Sequence, residues 1–114
     1  VTSCYHNDMP LYMSLFNCSI FFIKPVYSKK ASSPTKQGEL MAMGIPVICN
    51  DKVGDTADIV RKYNSGLVIS SEKINESVIS DYTFSESNAI EGAQEYFGLE
   101  KGVNTYGEIY KKII

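Results

Sequence analysis

The sequence predicts an α/β layered fold: a Rossmann-like parallel sheet of three or four strands followed by a helical C-terminal tail. Two observations carry this. Three short runs, "SIFFI" at 19–23, "IPVIC" at 45–49 and "GLVIS" at 66–70, are continuously apolar instead of alternating, the pattern of strands buried on both faces of a parallel sheet. The segments between them have helical spacing, and a strand–helix–strand repeat closes into right-handed crossovers.

The elements follow in order. The chain opens on "VTSC", read as a strand already under way, so residues 1–114 are expected to be one domain that is a piece of a longer protein. "MPLYMSLF" is a helix with Pro10 in its first turn and Leu11, Leu15 and Phe16 on one stripe. "PTKQGELMAM" takes Ser33 as N-cap and Pro34 as first helical residue, and Gly44 stops it. Asp55 caps "TADIVRKY", which ends at "NSG". Beyond residue 70 only helices are read: "EKINESVISDY", then "ESNAIEGAQEYF" opened by Ser85, then "EKGVNTYGEIYKKII" after a break at Gly98. In the last of these Val103, Tyr106, Ile109, Tyr110 and Ile113 form a stripe expected to pack back on the sheet.

Composition narrows the function. A chain of 114 residues that is 44% hydrophobic is long enough to bury a core. Its net charge of −2 and scattered lysines argue against a nucleic-acid partner. No apolar run approaches the roughly 20 residues of a bilayer span. Cys4, Cys18 and Cys49 are odd in number and lack a C-x-x-C pair, which points to reduced thiols and the cytoplasm; attachment of a longer parent protein to a membrane surface is left open. His6 is the single histidine, so a Ser-His-Asp triad would have to use it, and it reads as a strand-end residue. There is no phosphate-loop or dinucleotide fingerprint, and neither a metal nor a cofactor is expected.

In an open parallel sheet, ligands bind outside the carboxyl ends of the strands, here the loops after Ile23 and Cys49. The first loop, "KPVYSKKASS", is polar and runs into the helix at Pro34, whose free N–H groups and positive dipole end suit a phosphate. Lys29, Lys30 and Lys36 surround that point. In the second loop, "NDKVGD", Gly54 either lets backbone approach a ligand closely or serves a plain turn. Glu39 is the acidic residue of a helix whose following turn is apolar almost all round. With Ser33 as N-cap the capping-box position is Lys36, so Glu39 does not cap. It either pairs with Lys36 at the surface or faces a cleft, accepting hydrogen bonds from a polyhydroxylated ligand.

"SPTKQGELMAMGIPVICND" resembles the donor-site segment of the retaining glycosyltransferases of family 4 (group 1), which have the GT-B architecture of two Rossmann-like halves around a cleft. "DMPLYMSLFNCSIFFIKPVYS", "VGDTADIVRKYNSGLVI" and "YFGLEKGVNTYGEIYKKI" are similar to the family's flanking segments, so the resemblance covers nearly the whole chain. It implies a nucleoside diphosphate sugar as donor, transferred to an acceptor of unknown kind. Glu39 corresponds to the second Glu of the family's E-x-x-x-x-x-x-x-E pattern and would bind ribose hydroxyls. The first Glu falls at Ala31, a departure that removes the carboxylate contacting the donor sugar. Ser32, Ser33, Thr35 and Lys36 would line the phosphate and sugar end of the donor, with Lys29, Lys30 and Gly54 as further candidates. The resemblance also implies earlier strands with an Arg and a Lys for the diphosphate, and an N-terminal half for the acceptor. These are not among the 114 residues, which alone are expected to transfer no sugar, and no catalytic residue is assigned. A second reading is a non-catalytic, flavodoxin-like regulatory or interaction domain whose "SPTK" loop binds a partner or a phosphate.

Overall fold

Three strands form one parallel sheet in chain order: β1 (Ser19–Phe21), β2 (Val47–Asn50) and β3 (Gly66–Ile69). The computed structural model describes residues 2–70 and 82–114; all but the last residue of the helix predicted at 72–82 lies outside them. Phe21 stands level with Cys49, and Cys49 with Val68. The central strand is buried on both faces, with Val47 and Cys49 at 0% exposure on one and Ile48 at 9% on the other, as its unbroken apolar run predicts. The edge strand β1 departs from that expectation: Phe21 packs on the core while Ile20 and Phe22 face solvent. A continuous apolar run therefore does not guarantee two covered faces. "VTSC" is also corrected, because residues 2–5 join no strand and the described sheet has three.

The helices are α1 (Met9–Met13), α2 (Thr35–Ala42), α3 (Thr56–Tyr63), α4 (Glu86–Phe97) and α5 (Leu99–Ile113). α1 is shorter than predicted. Its chain leaves the helix at Ser14, so the 3.6-residue period does not reach Leu15 and Phe16; Met13 points inward, and Leu11, Leu15 and Phe16 are exposed. α2 starts one residue late. Pro34 holds extended geometry at ψ 115° as the N-cap, and neither Ser33 nor any other side chain caps the helix. Gly44 takes φ +67° after it, a conformation open to glycine at little cost. Asp55 does stand at the N-cap of α3, but its carboxylate accepts no hydrogen bond from that helix. Ser85 caps α4 as predicted, its Oγ accepting from the Asn88 N–H at 3.3 Å.

Two adjoining packing centres result. Met13, Leu40, Val47, Cys49 and Val60 join α1, α2 and α3 to the sheet. Met41, Ile59, Tyr63, Ala89 and Ala93 seat α4 across α2 and α3. α2 serves both through the neighbouring Leu40 and Met41. Each fully buried Leu or Met contributes about 1.5 to 3 kcal/mol of transfer free energy. Burial also pushes the Cys49 thiol up to about 11, which keeps it neutral and inert. α5 corrects the last expectation. It buries no residue and does not return to the sheet. None of the described helices is long and apolar enough to cross a membrane.

Candidate functional site

The two loops at the carboxyl ends of β1 and β2 are joined by one side chain. Asn50, the last residue of β2, accepts from the Ile23 N–H through Oδ1 at 2.8 Å and donates from Nδ2 to the Ile23 carbonyl at 2.8 Å. Its amide thereby extends the strand pairing by one rung made of side-chain atoms. The 24–34 loop departs from that point, tightens into a 3₁₀ turn at Tyr27–Lys29, and is pinned again by the Gly54 N–H, which donates to the Lys29 carbonyl at 3.1 Å. Gly54 has φ +47°, and a Cβ there would overlap the Ser32 carbonyl. The close approach anticipated at this glycine is thus made by the chain's own loop.

Pinning creates a cleft of about 310 Å³ between the loops, lined by Lys30, Ser32 and Ser33 on one side and by Gly54, Asp55 and Asp58 on the other. Ala31 lines it too. The predicted residues Lys30, Ser32, Ser33 and Gly54 are therefore brought together. Lys29 contributes its carbonyl to the pin, and Lys30 extends over the Tyr27 ring with Nζ 5.7 Å from its centre.

Thr35 and Glu39 lie elsewhere. They face a second groove, of about 510 Å³, between α2 and α4, with Ile90 and Phe97 on the opposite wall. Glu39 also borders a hollow shared with His6, Met9 and Met43. Its carboxylate accepts from Lys36 Nζ at 2.7 Å, and both side chains are roughly half exposed. The surface pair foreseen as one of two alternatives is formed, while Glu39 remains open to the groove. In water such a pair contributes only a few tenths of a kcal/mol, so it would yield to a better partner.

Two residues that matter to this region were not singled out from the sequence, and a third was given another role. Asn50 is one. Gln37 is another: it is fully buried, and its Nε2 donates to the Thr56 carbonyl at 3.1 Å, tying the first turn of α2 to the first residue of α3. Asp55 is the third, because its Oδ2 accepts from the Tyr96 hydroxyl of α4 instead of capping α3. That hydrogen bond, with some burial, holds the Tyr96 phenol above its ordinary range. Long-range pairings of this kind have no local sequence signal. With no side-chain cap on α2, the N–H groups of Thr35 and Lys36 stay available beside Ser33, where the positive dipole end favours an anion, while that of Gln37 donates to the Pro34 carbonyl at 3.0 Å. Comparison with family models, with curated proteins and with solved structures finds no match.

Proposed function

We propose that this chain is the nucleotide-sugar-binding part of a retaining glycosyltransferase, with the donor held across the carboxyl ends of β1 and β2. The observation that carries the reading is the uncapped start of α2 beside a pinned loop of Lys30, Ser32 and Ser33. In it the diphosphate sits at that helix start, where free N–H groups and lysines would meet the negative charge that develops on the leaving group. Ribose hydroxyls reach Glu39, which exchanges Lys36 for them. Asp58 shares the cleft with Ala31 and is exposed, so in this reading it takes over hydrogen bonding to sugar hydroxyls from the carboxylate that position 31 lacks. The exposed Ile20 and Phe22, on the face of β1 opposite Phe21, support a parent fold that covers this face.

A panel of nucleoside diphosphates, titrated to millimolar against the intact chain, tests this by amide shift mapping. The expected response is confined to 32–39 and 54–58. Glu39→Gln in the complete enzyme should weaken donor binding by about 1.5 to 3 kcal/mol, since a hydrogen bond to a charged group is replaced by a neutral one. Silence from every nucleotide on a folded chain would favour the other reading, an interaction module, for which the exposed Leu11, Leu15 and Phe16 speak.

A further inference from the structure

Asp55 stands where a helix-capping aspartate stands, but its backbone is not that of a cap. Its ψ is 1°, whereas a capping residue is extended and aims its side chain at the second or third N–H of the helix. In α3 these are the N–H groups of Ala57 and Asp58, and neither donates to any described residue. The carboxylate is directed to α4 instead. Its Oδ2 accepts from the Tyr96 hydroxyl, while its Oδ1 is buried with no hydrogen-bond partner among the described residues. Donors and an acceptor that would satisfy one another are thus held apart, although buried polar groups are ordinarily paired.

The packing around Asp55 says which part would move to bring them together. α3 is fixed, because Thr56, Ala57, Ile59 and Val60 are buried, and Val53 is buried on the other side. A turn of Asp55 to extended geometry therefore falls on Gly54, the exposed residue between them. The Gly54 N–H is the group that pins the 24–34 loop through the Lys29 carbonyl. We propose that the Tyr96 hydroxyl is a latch on the cleft wall. Closed, it holds Asp55 off the start of α3 and the loop stays pinned. Released, Asp55 turns extended and caps α3 through the Asp58 N–H, and Gly54, in taking up the turn, withdraws its N–H from Lys29. A cap and a hydrogen bond to a charged group contribute comparable amounts, so a single hydroxyl is enough to decide between the two arrangements. The latch can open without unfolding α4, because Tyr96 is 40% exposed and the helix is anchored separately by Ala89, Gly92, Ala93 and the bond from Tyr63 to Glu95. The device is independent of which ligand the cleft takes.

Amide exchange and amide proton shifts of Gly54 and Asp58, read by NMR on the 114-residue chain, test it. Tyr96→Phe keeps the ring and removes only the hydroxyl. Protection at Gly54 should fall about tenfold while protection at Asp58 rises by a similar factor, the scale set by one hydrogen bond to a charged group. Adding Asp55→Ala removes the carboxylate that turns, so Asp58 should lose the gain and Gly54 should recover protection. A bond that only stiffens the structure requires the opposite, a double variant at least as loose at Gly54 as the single one. An Asp58 amide indifferent to Tyr96→Phe, a Gly54 amide that stays protected, a double variant no tighter at Gly54 than the single, or a Tyr96→Phe chain that loosens throughout α4 would each overturn the proposal.

Discussion

α4 and α5 are consecutive helices separated only by Gly98, both amphipathic, yet one is anchored and the other is not. The residues that α4 buries are small: Ala89, Gly92 and Ala93. They let its axis come close to α2 and α3, where a Cβ at Gly92 would lie 2.5 Å from the Tyr63 ring and one at Gly38 2.8 Å from the Phe97 ring. Polar ties then fix its position, with the Tyr63 hydroxyl donating to Glu95 Oε2 at 2.7 Å and Tyr96 donating to Asp55. α5 has a stripe of large residues instead, and nothing in the described chain meets them. An apolar stripe announces that a face is to be covered. The size of its residues tells more about how closely the cover comes.

The largest test of this contrast is a charge. Ala93→Arg would leave an uncompensated charge against Met41 and Tyr63, and unfolding in urea should show a loss of about 3 to 5 kcal/mol. Val103→Arg, measured at low micromolar concentration, should stay within about 0.5 kcal/mol of the parent. Equal losses would break the comparison. A finer test uses one substitution twice. Gly92→Ala presses a methyl into the Tyr63 ring and should cost about 1 to 3 kcal/mol, whereas Gly107→Ala meets open space and should gain up to about 1 kcal/mol from helix propensity. Opposite signs in the denaturation midpoints are required.

The smallest effect is on acid behaviour. The Tyr63 hydroxyl and then the Lys62 ammonium hold the Glu95 carboxyl below its ordinary value of 4.5. A lowered folded value means that the contribution is present above the ordinary range and fades as pH falls through the lowered one. Hydrogen exchange followed from pH 6 to pH 3 should therefore show α4 amides losing protection in the acid limb, and Glu95→Gln should remove the part of that change due to this carboxylate. α5 amides should show no matching step.

This contrast also marks what could be read from the chain. β2 was legible because "IPVIC" needs no long-range information to be recognised as a buried strand, and Pro10, Gly44 and Ser85 act within a turn of their own position. The caps proposed at Ser33 and Asp55 failed for different reasons. Pro34 holds extended geometry and shifts the helix start beyond the reach of Ser33, and Asp55 was claimed by a tyrosine 41 residues away. The cleft was half visible. Its loop residues 30–33 lie together in sequence and in space, but the tie from Asn50 to Ile23 spans 27 residues and leaves no periodic trace. Glu39 shows the remaining difficulty, because helical phase gives its direction around the axis and not which groove stands there.

The Asn50 amide has a consequence for how the sheet finds its alignment. Ile23 presents one donor and one acceptor to it, and the amide answers both at 2.8 Å. Successive peptide groups of an extended chain point alternately to opposite sides, so a slip of β1 by one residue would turn the matching pair of groups away. Both bonds would vanish together. Misaligned pairing is then penalised at a single rung, and only a side chain with donor and acceptor at that reach can impose the penalty. Asn50 works as a key cut for one lock position: replaced by Asp it keeps the acceptor, sets a second oxygen against the Ile23 carbonyl, and leaves the strand free to register wrongly.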